Sequence, residues 1–169
     1  VKLEAPTGIY AGFDEVEISG KSKVTSIGSV GMMFVGGQSG ATKLHVTGES
    51  EYNLQMKGYA HALRVNLSKN PSSILVDKNS KLHLSQATKG ASAIVLGNGA
   101  TLTMDNGTLI TEGKFLKGIY SLGTNSTTTI RNGSHVDVSS IVRNPKNEGQ
   151  NLIVTGGTLT YDYLSLIHI

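Results

Sequence analysis

A short unit returns along this chain: an aliphatic residue, a turn of Gly, Asn, Ser or Lys, then two apolar residues separated by one polar position. Leu96-Gly-Asn-Gly-Ala-Thr-Leu102-Thr-Met104 sets the form. Val76-Asp-Lys-Asn-Ser-Lys-Leu82-His-Leu84 and Ile130-Arg-Asn-Gly-Ser-His-Val136-Asp-Val138 repeat it. Looser copies are Ile18-Ser-Gly-Lys-Ser-Lys-Val24 and Val46-Thr-Gly-Glu-Ser-Glu-Tyr52-Asn-Leu54, and Val154-Thr-Gly-Gly-Thr-Leu159-Thr-Tyr161 is one residue short. The leading residues stand at 18, 46, 76, 96, 130 and 154, at intervals of 28, 30, 20, 34 and 24. Recurrence at roughly 20 to 50 residues marks a repeat architecture. No such unit buries its apolar face alone, whereas stacked units bury a shared interior.

The units read as strands. Leu82 and Leu84, Leu102 and Met104, and Val136 and Val138 alternate with polar neighbours, which puts the apolar residues on one face of a pleat. The expected fold is therefore all-β, a β-solenoid in one domain over residues 1–163. Each coil of such a solenoid advances about 4.8 Å, so six units make a rod of roughly 30 Å. The competing architecture is a β-sandwich of the same composition, since the intervals are irregular.

Composition agrees with a narrow, strand-built interior. Charged residues are 16% and aromatics 5%, Trp is absent, and 21 glycines supply turns without a collagen period. Asn, Ser, Thr and Gly mark the turns, and Val, Ile, Leu and Thr the strands. The net charge of +3 comes from dispersed Lys and Arg. Nucleic-acid binding would need those charges clustered on one face, so no nucleic-acid partner is expected. There is no Cys for disulfides or thiolate metal sites, and no 18-residue apolar run for insertion into a membrane.

A second recurrence is Lys-Gly at Lys57-Gly58, Lys89-Gly90 and Lys117-Gly118, which predicts a second fixed corner in each coil. The stretch 141–151, with Asn144-Pro145-Lys146-Asn147, predicts a protruding loop. Leu164-Ser-Leu-Ile-His-Ile169 resembles the in-frame translation of a sequencing-library adapter and is read as a non-native tail.

Gly97-Asn-Gly-Ala-Thr-Leu102, Arg131-Asn-Gly-Ser-His-Val136 and Lys117-Gly-Ile-Tyr120 resemble the pectate-lyase-like adhesive domains of large Gram-positive surface proteins. The resemblance covers about residues 16–163. It implies a right-handed parallel β-helix displayed at the cell surface or wall, within a longer adhesin bearing a signal peptide and an anchor. The matching residues are turn and core residues, so the resemblance carries over no functional residue.

An enzyme of this fold would need grouped acids, either around Ca²⁺ or as an acid/base pair. The 12 acids are dispersed. Asp77, Asp105 and Asp137 read as three different phases of the repeat, and Asp14-Glu-Val-Glu17 reads as a solvated edge. His45 and His83 hold the same place in Lys-Leu-His-Val and Lys-Leu-His-Leu, which predicts that they stack, facing solvent. The expectation is a non-enzymatic adhesin or stalk segment without catalytic residues, metal or cofactor, binding a host or environmental glycan or surface protein. Tyr10, Tyr59, Tyr120, Asn144, Lys146 and Asn147 are the contact candidates. A polysaccharide lyase or hydrolase of the same fold and a purely structural spacer are the alternatives. Unpaired strand edges at both ends predict end-to-end self-association.

Overall fold

The computed structural model describes residues 1–4, 7–11, 15–34, 43–58, 61–65, 72–88, 92–121, 124–140, 152–154 and 157–168, with backbone only over 7–11, 30–34 and 152–154. Among these residues every regular element is a strand. The first coil runs β1 (Lys2–Glu4), β2 (Thr7–Ala11) and β3 (Glu15–Ile18). The second is β4 (Lys23–Gly28), β5 (Val30–Phe34) and β6 (Lys43–Val46). The third is β7 (Glu51–Met56), β8 (Leu63–Val65) and β9 (Ser73–Asp77). The fourth is β10 (Lys81–Gln86), β11 (Ser92–Leu96) and β12 (Thr101–Asp105). The fifth is β13 (Thr108–Gly113), β14 (Lys117–Ser121) and β15 (Thr127–Arg131). The sixth is β16 (His135–Asp137), β17 (Leu152–Val154) and β18 (Thr158–Tyr161), and β19 (Leu166–His168) lies beyond it.

Each strand pairs in parallel with the strand three places on, which gives three sheets. Sheet A has seven strands, from β1 to β19; sheet B, from β2 to β17, and sheet C, from β3 to β18, have six each. This is a parallel β-solenoid, as the stacking argument required. Register fixes the true period: Glu15 lies beside Lys43, Lys43 beside Ser73, Ser73 beside Thr101, Thr101 beside Thr127, and Thr127 beside Thr158. A coil therefore takes 26 to 31 residues in sheet C.

The irregular intervals in the sequence have a simple origin. Ile18, Val46, Val76 and Ile130 stand in one column of sheet C, with Met104 and Tyr161 completing it. Leu96 and Val154 belong to sheet B. Their turns join sheet B to sheet C, whereas the other turns join sheet C to sheet A. One turn chemistry thus serves two corners of the coil. The Lys-Gly pairs are likewise not equivalent: Lys57 follows β7 at the exit from sheet A, while Lys117 opens β14 in sheet B. Lys89-Gly90 lies outside the described residues.

The interior is a stack of aliphatic columns. In sheet A, Val24, Tyr52, Leu82, Leu109, Val136 and Ile167 follow one another in register. In sheet C the corresponding column is Val16, Leu44, Ile74, Leu102, Thr128 and Leu159. Leu44, Tyr52, Ile74, Leu82, Leu102, Leu109 and Val136 are wholly inaccessible. The Tyr52 hydroxyl, buried with its ring, finds the Ser26 hydroxyl at 3.2 Å. Burial pushes the Tyr52 phenol up to about 12.

The corner from sheet C to sheet A repeats in fine detail. Two consecutive residues adopt left-handed backbone at Gly20-Lys21, Gly48-Glu49, Lys78-Asn79 and Asn132-Gly133, the conformation that turns a chain sharply and favours Gly and Asn. A serine follows; Ser22 in the first of these corners is exposed, while Ser50, Ser80 and Ser134 are buried in the stack. The Ser22 amide donates to Ser50 Oγ and the Ser50 amide to Ser80 Oγ, each at 3.1 Å. The Gly107 amide donates to Ser134 Oγ at 3.1 Å and the Ser134 amide to Ser165 Oγ at 3.2 Å. Gly107 interrupts this ladder because its corner is one residue shorter; a Cβ there would sit 2.5 Å from the Val76 carbonyl oxygen.

Candidate functional site

The residue that opens each sheet C corner forms an outward column. Register places Asp105 between Asp77 and Arg131, and Asp162 follows Arg131 with its amide bonded to the Ile130 carbonyl at 3.1 Å. Asp77 and Asp105 are therefore neighbours, not residues of different phases; the shortened corner at Gly107 hides their equivalence in the sequence. Only Asp137, in sheet A, stands apart.

These carboxylates are occupied by the chain itself. Asp105 accepts from Asn132 Nδ2 at 2.5 Å on one oxygen and from Arg131 Nη2 and Nε at 2.8 and 3.0 Å on the other. The Asn132 amide, then the Arg131 guanidinium, hold Asp105 below its usual range. Asp162 accepts the Asn132 backbone N–H at 2.7 Å and both donors of Ser165, and these bonds lower it too. Asp137 is lowered first by the Ser139 hydroxyl and then by the Ser139 amide. Glu4 is lowered by the Lys57 ammonium at 3.0 Å. A general acid needs the opposite, a carboxyl raised toward neutrality. Asp77, Lys78, Asp105, Asn106 and Asn132 rim a shallow hollow at this corner.

The outer face of sheet C carries a different pattern. Thr101, Thr127 and Thr158 form one column, and Thr103, Thr129 and Thr160 a second, parallel to it. Between them the inward Leu102 and Thr128 are buried, so the threonines point outward. Their rows repeat every ~4.8 Å along the rod, and the columns lie about 7 Å apart. The signal was present as Thr-Leu-Thr, Thr-Thr-Thr and Thr-Leu-Thr, but only register aligns the three. Nearer β3 the same columns carry Ser73 and Leu75, then Lys43 and His45, then Glu15 and Glu17.

His45 and His83 do not stack. His45 is in β6 of sheet C and His83 in β10 of sheet A, where His83 Nε2 lies 3.1 Å from Glu112 Oε2. His45 sits between two carboxylates, with Nε2 3.0 Å from Asp77 Oδ2 and Nδ1 3.3 Å from Glu15 Oε1. Neither imidazole is freely solvated: the His45 side chain is 16% exposed and that of His83 24%. His61 has another role: its Nδ1 accepts the Ser92 amide at 3.0 Å. Burial and then Arg64 hold its pKa below the ordinary imidazole value.

Of the contact candidates, Tyr120 lies on sheet B, partly exposed, with Lys117 Nζ 3.8 Å from its ring centroid. That cation covers one aromatic face, worth about 0.5–1 kcal/mol at such a site. Tyr10 occupies the same column, which runs Tyr10, Met33, Arg64, Val95, Tyr120. Tyr59, Asn144, Lys146 and Asn147 lie outside the described residues. The 164–169 segment, read as a non-native tail, supplies β19 beside β16, and Ser165 ends the serine ladder.

Compared with protein-family models, with curated proteins and with solved structures, the chain gives no match.

Proposed function

We propose that this chain is a section of an extracellular, right-handed, pectate-lyase-like β-helix that presents a binding surface without catalysing a reaction. The observation that carries this reading is the double threonine column on sheet C. It is a regular, hydroxyl-bearing surface three coils long, set on hydrogen-bonded parallel strands. Hydroxyls at fixed spacing both donate and accept, and threonine methyls add apolar contact, which suits a glycan chain or an extended protein segment lying along the rod. Each contact is weak, and affinity grows by avidity when neighbouring copies engage one polymer. The downward shifts of Glu4, Asp105, Asp137 and Asp162 argue against these four carboxyls as general acids. Display on a Gram-positive cell surface or wall rests on the motif resemblance.

The test is retention on glycan and host-protein arrays, beside incubation with pectin, alginate and host glycans with and without Ca²⁺. Thr103→Lys with Thr129→Lys, both outward, is expected to abolish retention while leaving the circular dichroism spectrum unchanged. Release of oligosaccharide products would overturn the reading in favour of a polysaccharide lyase or hydrolase. Absence of retention on every surface would favour a structural spacer.

A further inference from the structure

We propose that Glu15, Glu17 and His45 form a site for a divalent transition-metal ion of the zinc class, bridging the first two coils, with Asp77 of the third coil as a positioning residue. The proposal does not depend on the adhesive reading. It starts from register: Glu15 lies beside Lys43, Glu17 beside His45, and the His45 strand is followed by β9, which ends at Asp77. One donor atom from each of Glu15, Glu17 and His45 lies within 4.8 Å of the other two.

The chemistry of His45 gives the cluster its direction. With the Nε2–H donated to Asp77 Oδ2 at 3.0 Å, the Nδ1 lone pair faces Glu15 Oε1 at 3.3 Å. In that tautomer the Nδ1 lone pair and the Glu15 carboxylate are two electron-rich groups that a divalent cation can bridge. A carboxylate behind a histidine is also the arrangement that fixes the tautomer and raises the basicity of a metal-bound imidazole. The other Asp77 oxygen, Oδ1, is buried and has no hydrogen-bond partner among the described residues, which leaves the ring as the partner shown for this carboxylate. Zinc bonds of about 2.0–2.1 Å put tetrahedral ligand atoms ~3.4 Å apart, and both glutamates are exposed enough to close that gap by rotation. Water completes the fourth position. Calcium is disfavoured, since it needs six to eight oxygens and the centre of this group is an imidazole. Lys43 Nζ, 3.6 Å from Glu15 Oε1, is the local competitor; exposed pairs of that kind are worth little and give way to a divalent ion.

The experiment is equilibrium dialysis of chelator-treated protein against zinc chloride with quantification of bound metal, repeated with Co²⁺ for its visible absorption. One equivalent of zinc and a four-coordinate Co²⁺ spectrum are expected. His45→Asn should remove both, and Glu17→Gln, a surface change that leaves folding intact, should weaken binding at least ~10-fold. Asp77→Asn should weaken it by roughly 10- to 100-fold and move the Co²⁺ bands, an effect a purely structural residue would not produce. His135→Asn is the control, because His135, Asp137 and His168 form a second group of possible ligands. Binding that survives His45→Asn or Glu17→Gln, binding lost in His135→Asn, or no saturable binding at all would each overturn the proposal.

Discussion

Replacing Ser80 by Ala removes one oxygen atom and asks whether the corner ladder holds the coils together. Ser80 is wholly buried and Ser50 is 1% exposed. The Ser50 amide donates to Ser80 Oγ at 3.1 Å. Without that oxygen the amide is left inside the stack with no partner and no route to water. An orphaned buried backbone donor costs about 1–3 kcal/mol, more than the net worth of an ordinary hydrogen bond. Ser22→Ala is the matched control, because Ser22 is exposed and its hydroxyl donates to the Ser19 carbonyl within its own turn. Urea denaturation followed by circular dichroism should show a loss of about 1–3 kcal/mol for Ser80→Ala and under ~0.5 kcal/mol for Ser22→Ala. Hydrogen exchange places the effect, since Ser50 amide protection should fall roughly 5- to 150-fold. Equal stabilities for the two variants, or unchanged exchange at Ser50, would refute the ladder argument.

The left-handed corner at Asn132 predicts a graded response. Asn132→Val should cost about 2 kcal/mol, because a β-branched residue resists positive φ and the bond to Asp105 is lost, while Asn132→Gly should cost under ~1 kcal/mol in thermal melts. Tyr52 predicts alkaline sensitivity. Its folded pKa of about 12 exceeds the ordinary phenol value of 10.0, so the unfolded chain releases its proton first. Stability is full below pH 10 and falls between 10 and 12, by up to about 3 kcal/mol. Tyr52→Phe should flatten that part of a pH–stability profile. His61 acts at the other end: its pKa is depressed in the folded chain, so its contribution is present above about pH 6.5 and lost as pH falls through the folded value. His61→Gln should remove that acid limb. The chain as given should also self-associate, because Leu159 and Tyr161 of the last full coil are 37% and 50% exposed although their columns are buried elsewhere. Light scattering showing a monomer at all concentrations would contradict this.

Much of the fold was legible because strand alternation and turn chemistry are local properties. Leu82 with Leu84 and Val136 with Val138 declare their faces without help from the rest of the chain. Phase was harder to read. Leu96-Gly-Asn-Gly and Ile130-Arg-Asn-Gly make the same kind of turn, yet one leads from sheet B and the other from sheet C. Only the stacked backbone tells them apart. The same ambiguity separated Asp77 from Asp105, where a single missing corner residue shifts the pattern, and falsely paired His45 with His83. The threonine columns and the Glu15, Glu17, His45 and Asp77 group draw on successive coils 26 or more positions apart, joined only by register. Tyr120 stood out in the sequence as an aromatic side chain, but the Lys117 ammonium over its ring did not, because Lys117 read as a corner and motif residue.

Parallel stacking in one direction is the claim on which the rest stands, and paired spin labels measure it directly. The chain has no Cys, so labels at introduced cysteines are specific. Thr103, Thr129 and Thr160 occupy one column on consecutive coils. Backbone separations of about 5 Å for 103 with 129 and about 10 Å for 103 with 160 are predicted, giving strong and then weaker dipolar broadening. Broadening that does not follow this order, as two facing sheets of hairpins would produce, would contradict the solenoid.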